Sequence, residues 1–516
     1  MSANLYELLS KPFQEFSDSV AIECHERGVW TFGELEDQTA RYADWLIGSG
    51  VKPGDRVVVQ AEKSPEVVFL YLASLKSGAI FLPLNTAYQP AELEFFLSDA
   101  EPRIFVCNPK KQTTLEPICS AKGISLFTLG ADGGGNLQDA LPKSGTEPVV
   151  SREPDDLAAL LYTSGTTGRS KGAMITHHNL SSNALTLHRQ WGFIEGDVLL
   201  HSLPIYHVHG LFVALHCALL NGSKMIWMRK YDPELVSQKI REASVFMGVP
   251  THYTRLLKEE SFGKECCSRM RLFVSGSAPL LKETFEQFRQ RTGHTILERY
   301  GMTEAGMITS NPYNGNRIAG TVGFPLDGIS ARVSDETGKE LKDGEIGTLE
   351  IKGPNVFKGY WKLPEKTKEE FREDGFFITG DLACRDQQGY LSIVGRGKDL
   401  IISGGLNVYP KEVEDQLNQI EGVQESAVFG LSHSDFGEAV TAVIVSNHNT
   451  FSEELILEHL RPKLASFKLP KRILPVSELP RNSMGKVQKK LLRKQHSELY
   501  QNSSDSFGFR QRFHPG

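Results

Sequence analysis

The chain is 516 residues long, 23% of them charged, with a formal net charge of -6 and 40% hydrophobic residues. That length is too great for a single compact core and implies about two to four folding units. The near-balanced charge gives no electrostatic case for nucleic acid or an anionic membrane, so any anionic ligand has to be held by local groups.

The first two hundred residues alternate helix and strand signals. Thr31 and Glu34 form a capping box opening a helix that runs toward Gly48. VKPGDRVVVQ (51–60) follows as turn and strand, and Ser64-Pro65-Glu66 starts another helix with proline at its first position. DLAALLY (156–162) is a strand-like apolar run that delivers the loop TSGTTGRSKG (163–172) to a sheet edge. Gly165, Gly168 and Gly172 let backbone N–H groups converge on an anion, and Lys171 adds a point charge. Thr163, Ser164, Thr166, Thr167 and Ser170 supply hydroxyl donors. This is the composition of a polyphosphate cradle, although the spacing departs from the Walker A pattern because Arg169 and Ser170 separate Gly168 from Lys171. The competing interpretation is a solvated Gly/Ser/Thr linker, against which stand the basic pair and the flanking strand-like segments.

His177 and His178 are expected to continue the strand and turn after this loop. HGLFVALHCALL (209–220) has the pattern of a helix whose histidines cap or pack, and His201, His207, His209 and His216 lack a Cys or carboxylate that would complete a metal set. Asp232-Pro233 opens a helix, VFMGV (245–249) and MRLFVSG (270–276) are strands, and LKETFEQFRQRTG (281–293) is a helix ending at Gly293. Repeated βα winding of this kind predicts a mostly parallel sheet covered on both faces. After about Gly320, TVGFPLDGISARVSD and GEIGTLEIKG are short, glycine-punctuated strands, which predicts an antiparallel sheet or a small barrel. From Gly395 the scale shrinks to a helix from Lys411, a strand pair at SAVFG and TAVIVS, a second helix from Ser452 and a polar tail.

The expected fold is therefore α/β: a large N-terminal domain of wound parallel sheets with a small β-barrel-like part, and a small mobile α+β C-terminal domain. Its expected boundaries are 1–394 for the large domain, 395–399 for a hinge, 400–500 for the small domain and 501–516 for the tail. The cysteines at 24, 107, 119, 217, 266, 267 and 384 are odd in number and form no CxxC pair, which argues against a disulfide framework or zinc site and fits a reducing compartment. The N-terminal MSANLYELLSKPFQEF lacks a long apolar stretch and an Arg-rich character, and no run approaches the roughly 18 apolar residues of a membrane span. The cytoplasm is the expected location.

Five further stretches follow the Thr163 loop in order: SGSAP (275–279), ERYGMTE (298–304), TGD (379–381), GRGKD (395–399) and PRNSMGK (480–486). Together the six resemble the adenylate-forming superfamily of acyl-CoA synthetases, luciferases and nonribosomal-peptide adenylation domains, over nearly the whole chain. Within it the sequence is most similar to malonyl-CoA synthetases, which share ERYGMTE, NPYNG (311–315), GPNVFKGYW (353–361), FFITGD (376–381) and GRGKDLIISGG (395–405).

The resemblance implies that a carboxylate and ATP give an acyl-adenylate and pyrophosphate, and that the CoA thiol then gives the thioester and AMP. A carboxylate repels nucleophiles until its oxygen is esterified to the α-phosphate, and the charge growing on pyrophosphate has to be neutralised. The resemblance implies an ATP-binding set of Thr163, Ser164, Gly165, Thr166, Thr167, Gly168, Lys171, Ser277, Ala278, Glu298, Tyr300, Gly301, Met302, Thr303, Asp381, Arg396 and Lys486. Within it Tyr300 stacks on adenine, Thr303 touches the α-phosphate, Asp381 accepts both ribose hydroxyls and Arg396 adds a hydroxyl contact. Glu304 is the implied Mg²⁺ ligand, one carboxylate with phosphate oxygens and waters being a normal Mg²⁺ site. The implied catalytic group comprises Lys486, Thr303, Glu304 and His207. Lys398 falls at the hinge position, and Gly404 and Gly405 face the pantetheine arm. PRNSMGK has Asn482 where many relatives have Thr, while Lys486 keeps its glycine neighbour.

Arg299 stands where many relatives of the resembled family carry a small residue beside the acyl pocket. A guanidinium there matches the second carboxylate of a short diacid, malonate first and methylmalonate second, with Ser277 and His207 as further substrate contacts. If instead Arg299 pairs internally with Glu298 or Glu304, the substrate is another short, fatty or aromatic acid. A non-catalytic nucleotide-binding relative is the alternative from a different class.

Overall fold

The computed structural model describes residues 2–163, 170–404, 406–433, 436–446, 452–482 and 484–500. The chain divides into two compact units, residues 1–379 with 384–392, and residues 380–383 with 393–516.

The first unit contains two large sheets among its described residues. In the nine-stranded sheet the central strands Leu272–Ser275, Val245–Gly248, Val198–His201, Lys224–Trp227 and Val20–Cys24 run parallel, and Leu297–Met302 joins them beside Leu272–Ser275. Antiparallel strands finish both edges, with Gly306–Ser310 and Phe324–Pro325 on one side and Gly28–Thr31 on the other. The seven-stranded sheet has a parallel core of Ile80–Pro83, Arg56–Gln60, Ile104–Cys107 and Ser125–Thr128, extended by Leu157–Thr163, Lys171–Thr176 and Gly359–Tyr360. The central strands are apolar on both faces, as the fully buried Val245–Gly248 and Leu272–Ser275 show, because helices cover each side. Leu200, Phe246, Tyr253, Phe273 and Phe288 form one such buried layer, each large side chain contributing about 1.5–3 kcal/mol. The segment after Gly320 contributes the antiparallel pair Ser330–Ser334 and Ile346–Lys352 to this unit. Glu350 is fully buried there and is held by Arg332 and Arg372, both at 2.8 Å.

Local signals placed several of the helices. Thr31 and Glu34 form the reciprocal capping box of the helix Phe32–Gly48, and Pro65 opens Pro65–Lys76. Two details differ from expectation. His177 and His178 do not extend a strand: they begin the helix His177–Gln190, because Thr176 caps it and Asn179 returns the bond in a capping box. The run from His209 opens with a π-helical stretch, His209–Ala214, and becomes α-helical only over Leu215–Leu220.

In the second unit, the strands Val423–His433 and Gly437–Ser446 pair antiparallel, joined by Ile401–Ser403, Leu406–Val408 and Arg472–Pro475. The helices Pro410–Leu417 and Glu453–Leu460 contribute Val413, Leu417 and Leu460 to a core with Val428, Val440 and Ile444. No helix among the described residues is long and apolar enough to cross a membrane.

Candidate active site

The loop 163–172 begins and ends on a hairpin. Thr163 and Lys171 are paired across the antiparallel strands Leu157–Thr163 and Lys171–Thr176. Ser164, Gly165, Thr166, Thr167 and Gly168 lie outside the described residues. Lys171 is 8% exposed, and its ammonium pairs with Glu370 at 2.9 Å and sits 3.9 Å from the Tyr360 ring centroid. The Tyr360 hydroxyl reaches Glu370 Oε2 at 2.8 Å and Glu304 Oε1 at 3.1 Å, and Thr163 Oγ1 donates to the same Glu304 oxygen at 3.4 Å. Thr163, Lys171 and Glu304 are thus brought together, through Tyr360 and Glu370, which sequence reasoning missed. Thr303 and Glu304 line a cleft with Asn183, Val208, Phe212 and Asn355.

Glu304 follows the strand Leu297–Met302, whose hairpin return needs Gly301: a Cβ there would lie 2.2 Å from the Gly306 carbonyl oxygen. Tyr300 and Met302 are half-buried on this strand. The Glu298 side chain accepts the Leu280 N–H at 3.0 Å, and its carbonyl accepts the Asn311 N–H at 3.0 Å, so it braces the turn that carries Ser277 and Ala278.

The second group surrounds Arg299, which is 3% exposed. Its Nε and Nη2 have no hydrogen-bond partner, and burial pushes its pKa down to about 9, which leaves it cationic at neutral pH. The guanidinium lies against Gly276, where a Cβ would sit 2.4 Å from Arg299 Cζ. Ser277 holds a left-handed φ of 71°, costly for a residue with a side chain, and its hydroxyl is 3.3 Å from His209 Nδ1. His209 is 2% exposed with Nε2 unpartnered; burial and the Arg299 charge hold its pKa well below the usual imidazole value. It was missed as a site residue because its sequence surroundings read as helix packing. His207 is half-buried, lies against Tyr206 with ring centroids 4.7 Å apart, and is lowered to about 4 by burial.

The third group lies within the second unit. Asp381, 3% exposed, pairs with Arg396 Nε at 2.7 Å. Lys486 is exposed when its whole surface is counted, while its ammonium end is crowded; lost hydration and the Arg396 charge lower its pKa to about 8, with Asp381 opposing. Lys398 is lowered by the same two causes in the same order. Gly404 is exposed with a φ of 60° and donates its N–H to Phe436 O at 2.8 Å; Gly405 lies outside the described residues.

Wound parallel sheets carrying a Thr/Lys hairpin beside an acidic residue, with a second small unit bearing a lysine of lowered pKa, are the features of an adenylate-forming enzyme. A sequence profile described as AMP-binding enzyme matches residues 9–361, and one described as AMP-binding enzyme C-terminal domain matches residues 412–486. The chain belongs to the AMP-binding enzyme family. It is 34% identical to the malonate–CoA ligase of Arabidopsis thaliana, covering 96% of this chain and 89% of that one. It is 34% identical to the mitochondrial malonate–CoA ligase of Mus musculus, with 93% and 89% covered. An ATP-bound crystal structure of MatB from Rhodopseudomonas palustris is 52% identical and superposes with a TM-score of 0.94, covering 97% of this chain and 100% of that one.

Proposed function

We propose that the protein is an AMP-forming acid–thiol ligase that joins CoA to malonate, with methylmalonate as a second substrate. The observation that carries the substrate assignment is the buried Arg299 guanidinium with two unpartnered nitrogens beside Ser277 and His209. A monocarboxylate leaves that charge uncompensated, at a cost of about 3–5 kcal/mol, whereas a diacid offers a second carboxylate for bidentate pairing. Neutral His209 and the Ser277 hydroxyl carry one hydrogen each and share one of the two in their mutual bond, so the pair can donate one further hydrogen bond to it.

The reaction follows in two steps. An oxygen of the first carboxylate attacks the α-phosphorus of ATP; the Pα–O bond to the β-phosphate breaks and pyrophosphate leaves. The CoA sulfur then attacks the acyl carbon, its proton is lost and AMP departs. Thr163, Lys171 and the loop residues Ser164, Gly165, Thr166, Thr167 and Gly168 hold the β and γ phosphates. Thr303 binds the α-phosphate. Tyr300 stacks on adenine, alongside Ser277, Ala278, Gly301 and Met302, and Glu298 supports that turn. Asp381 and Arg396 take the ribose hydroxyls, and His207 walls the acyl end. Lys486 neutralises the developing charge on the bridging and carboxylate oxygens, Lys398 serves as the hinge, and Gly404 with Gly405 passes the pantetheine arm.

Glu304 fits a Mg²⁺ ion that keeps its phosphate and water ligands, since it is one buried carboxylate and no group of three protein ligands is gathered among the described residues. Bound Mg²⁺ would supply charge neutralisation on the polyphosphate. The seven free cysteines fit a reducing compartment, which we take to be the cytoplasm.

The test is pyrophosphate release with ATP, Mg²⁺ and CoA across malonate, methylmalonate, succinate, acetate, octanoate and coumarate. Malonate is expected to lead. Discrimination against succinate turns on one methylene, worth about 1–3 kcal/mol. Nucleotide binding without release for any acid would replace the ligase with a binding protein.

A further inference from the structure

The ion pair that occupies Lys171 has a structure of its own. Glu370 follows the helix Pro364–Glu369 and reaches 199 residues back in sequence to the loop lysine. Burial alone would raise its carboxyl; hydrogen bonds from Lys171, Tyr360 and Lys366 outweigh that and hold it below the usual carboxylate range. The Tyr360 hydroxyl has one hydrogen and faces two carboxylates, Glu370 at 2.8 Å and Glu304 at 3.1 Å, so it satisfies one of them at a time. Lys366 Nζ stands 3.3 Å from the same Glu370 oxygen that Lys171 holds. Glu370 therefore has a second cation in place if Lys171 turns to another anion.

We propose that Glu370 is a built-in counter-ion for Lys171, which the nucleotide's β and γ phosphates displace, Glu370 then relying on Lys366 while Tyr360 turns its hydrogen to Glu304. This rests on the assignment of Lys171 to the polyphosphate. A lone buried ammonium is costly, so the internal carboxylate compensates the lysine and holds it across the Tyr360 ring until a phosphate arrives. Its consequence is that nucleotide affinity is held below what the loop alone would give, because each binding event breaks an existing pair.

The experiment is isothermal titration with MgATP and with AMP, acid omitted, on the full chain. Glu370→Gln preserves the side chain's shape and is expected to bind MgATP about fivefold more tightly, with AMP affinity unchanged because AMP lacks the displacing phosphates. Glu369→Gln removes a neighbouring charge that, among the described residues, pairs with Lys366 and not with Lys171, and is expected to match wild type. Lys171→Ala is expected to weaken MgATP, and adding Glu370→Gln to it should bring no gain. MgATP affinity unchanged or weakened in Glu370→Gln, equal tightening for AMP, or equal tightening in the Lys171→Ala background would overturn the proposal while leaving Lys171 in the phosphate site. If Lys171→Ala binds MgATP as wild type does, the assignment of that lysine fails and this inference falls with it.

Discussion

Two buried guanidinium nitrogens without a partner call for an explanation, and for Arg299 we propose that the partner arrives with the ligand. Its position in ERYGMTE could be read from the sequence because a large cation stood where a small residue is common. Its neighbours could not: His209 is 90 residues away in the chain, and nothing in KTKEEF (366–371) singles out Glu370 as the partner of Lys171. Pairings of that range come from sheet topology, which residue order does not display. Lys486 carries a consequence of its own. With a pKa lowered to about 8, it is cationic below that pH and loses its charge above it. Adenylate formation, measured as malonate-dependent pyrophosphate release at saturating substrates, should fall as pH rises through about 8. Lys486→Arg should remove this falling limb, arginine staying charged throughout. A limb unchanged in that variant would assign it to another group.

Among the elements, the strand Leu272–Ser275 and the turn that follows it support the Arg299 side chain and so govern the proposed acyl pocket. The guanidinium can lie over this turn only because residue 276 lacks a Cβ. Gly276→Ala is expected to push Arg299 aside and lower kcat/KM for malonate by at least about tenfold, a loss in the range of a mispaired pocket group. MgATP affinity should stay within about twofold, since the nucleotide set does not include that position. Equal loss of both would mean that the turn itself had collapsed. The strands and helices around it followed from local signals, with proline at first helical positions and a capping box at Thr31. The start at His177 was missed because the capping box closes through Asn179, where the sequence signature looks for Glu or Gln. The π-helical stretch His209–Ala214 was missed for a different reason, since hydrophobic periodicity over six residues does not separate it from an α-helix.

At the scale of the whole molecule, the change of texture near Gly395 marked a smaller second unit in the sequence, while the wound sheets were announced by repeated strand and helix signals. The exchange of residues 380–383 with the second unit was beyond sequence reasoning, because it depends on which strands pair. We assign Lys486 to adenylation alone. Lys486→Ala should therefore abolish pyrophosphate release yet make thioester from supplied malonyl-adenylate and CoA at a rate near wild type; equal loss in both would remove the division of labour that we propose for a hinge at Lys398. The most direct test of the central claim is kcat/KM for malonate and for acetate on wild type and Arg299→Ala. The account predicts that wild type prefers malonate and that the variant loses malonate by roughly 100-fold or more, the scale of an uncompensated buried charge, with acetate unchanged or improved. Wild type preferring acetate, or Arg299→Ala retaining malonate activity, would contradict it.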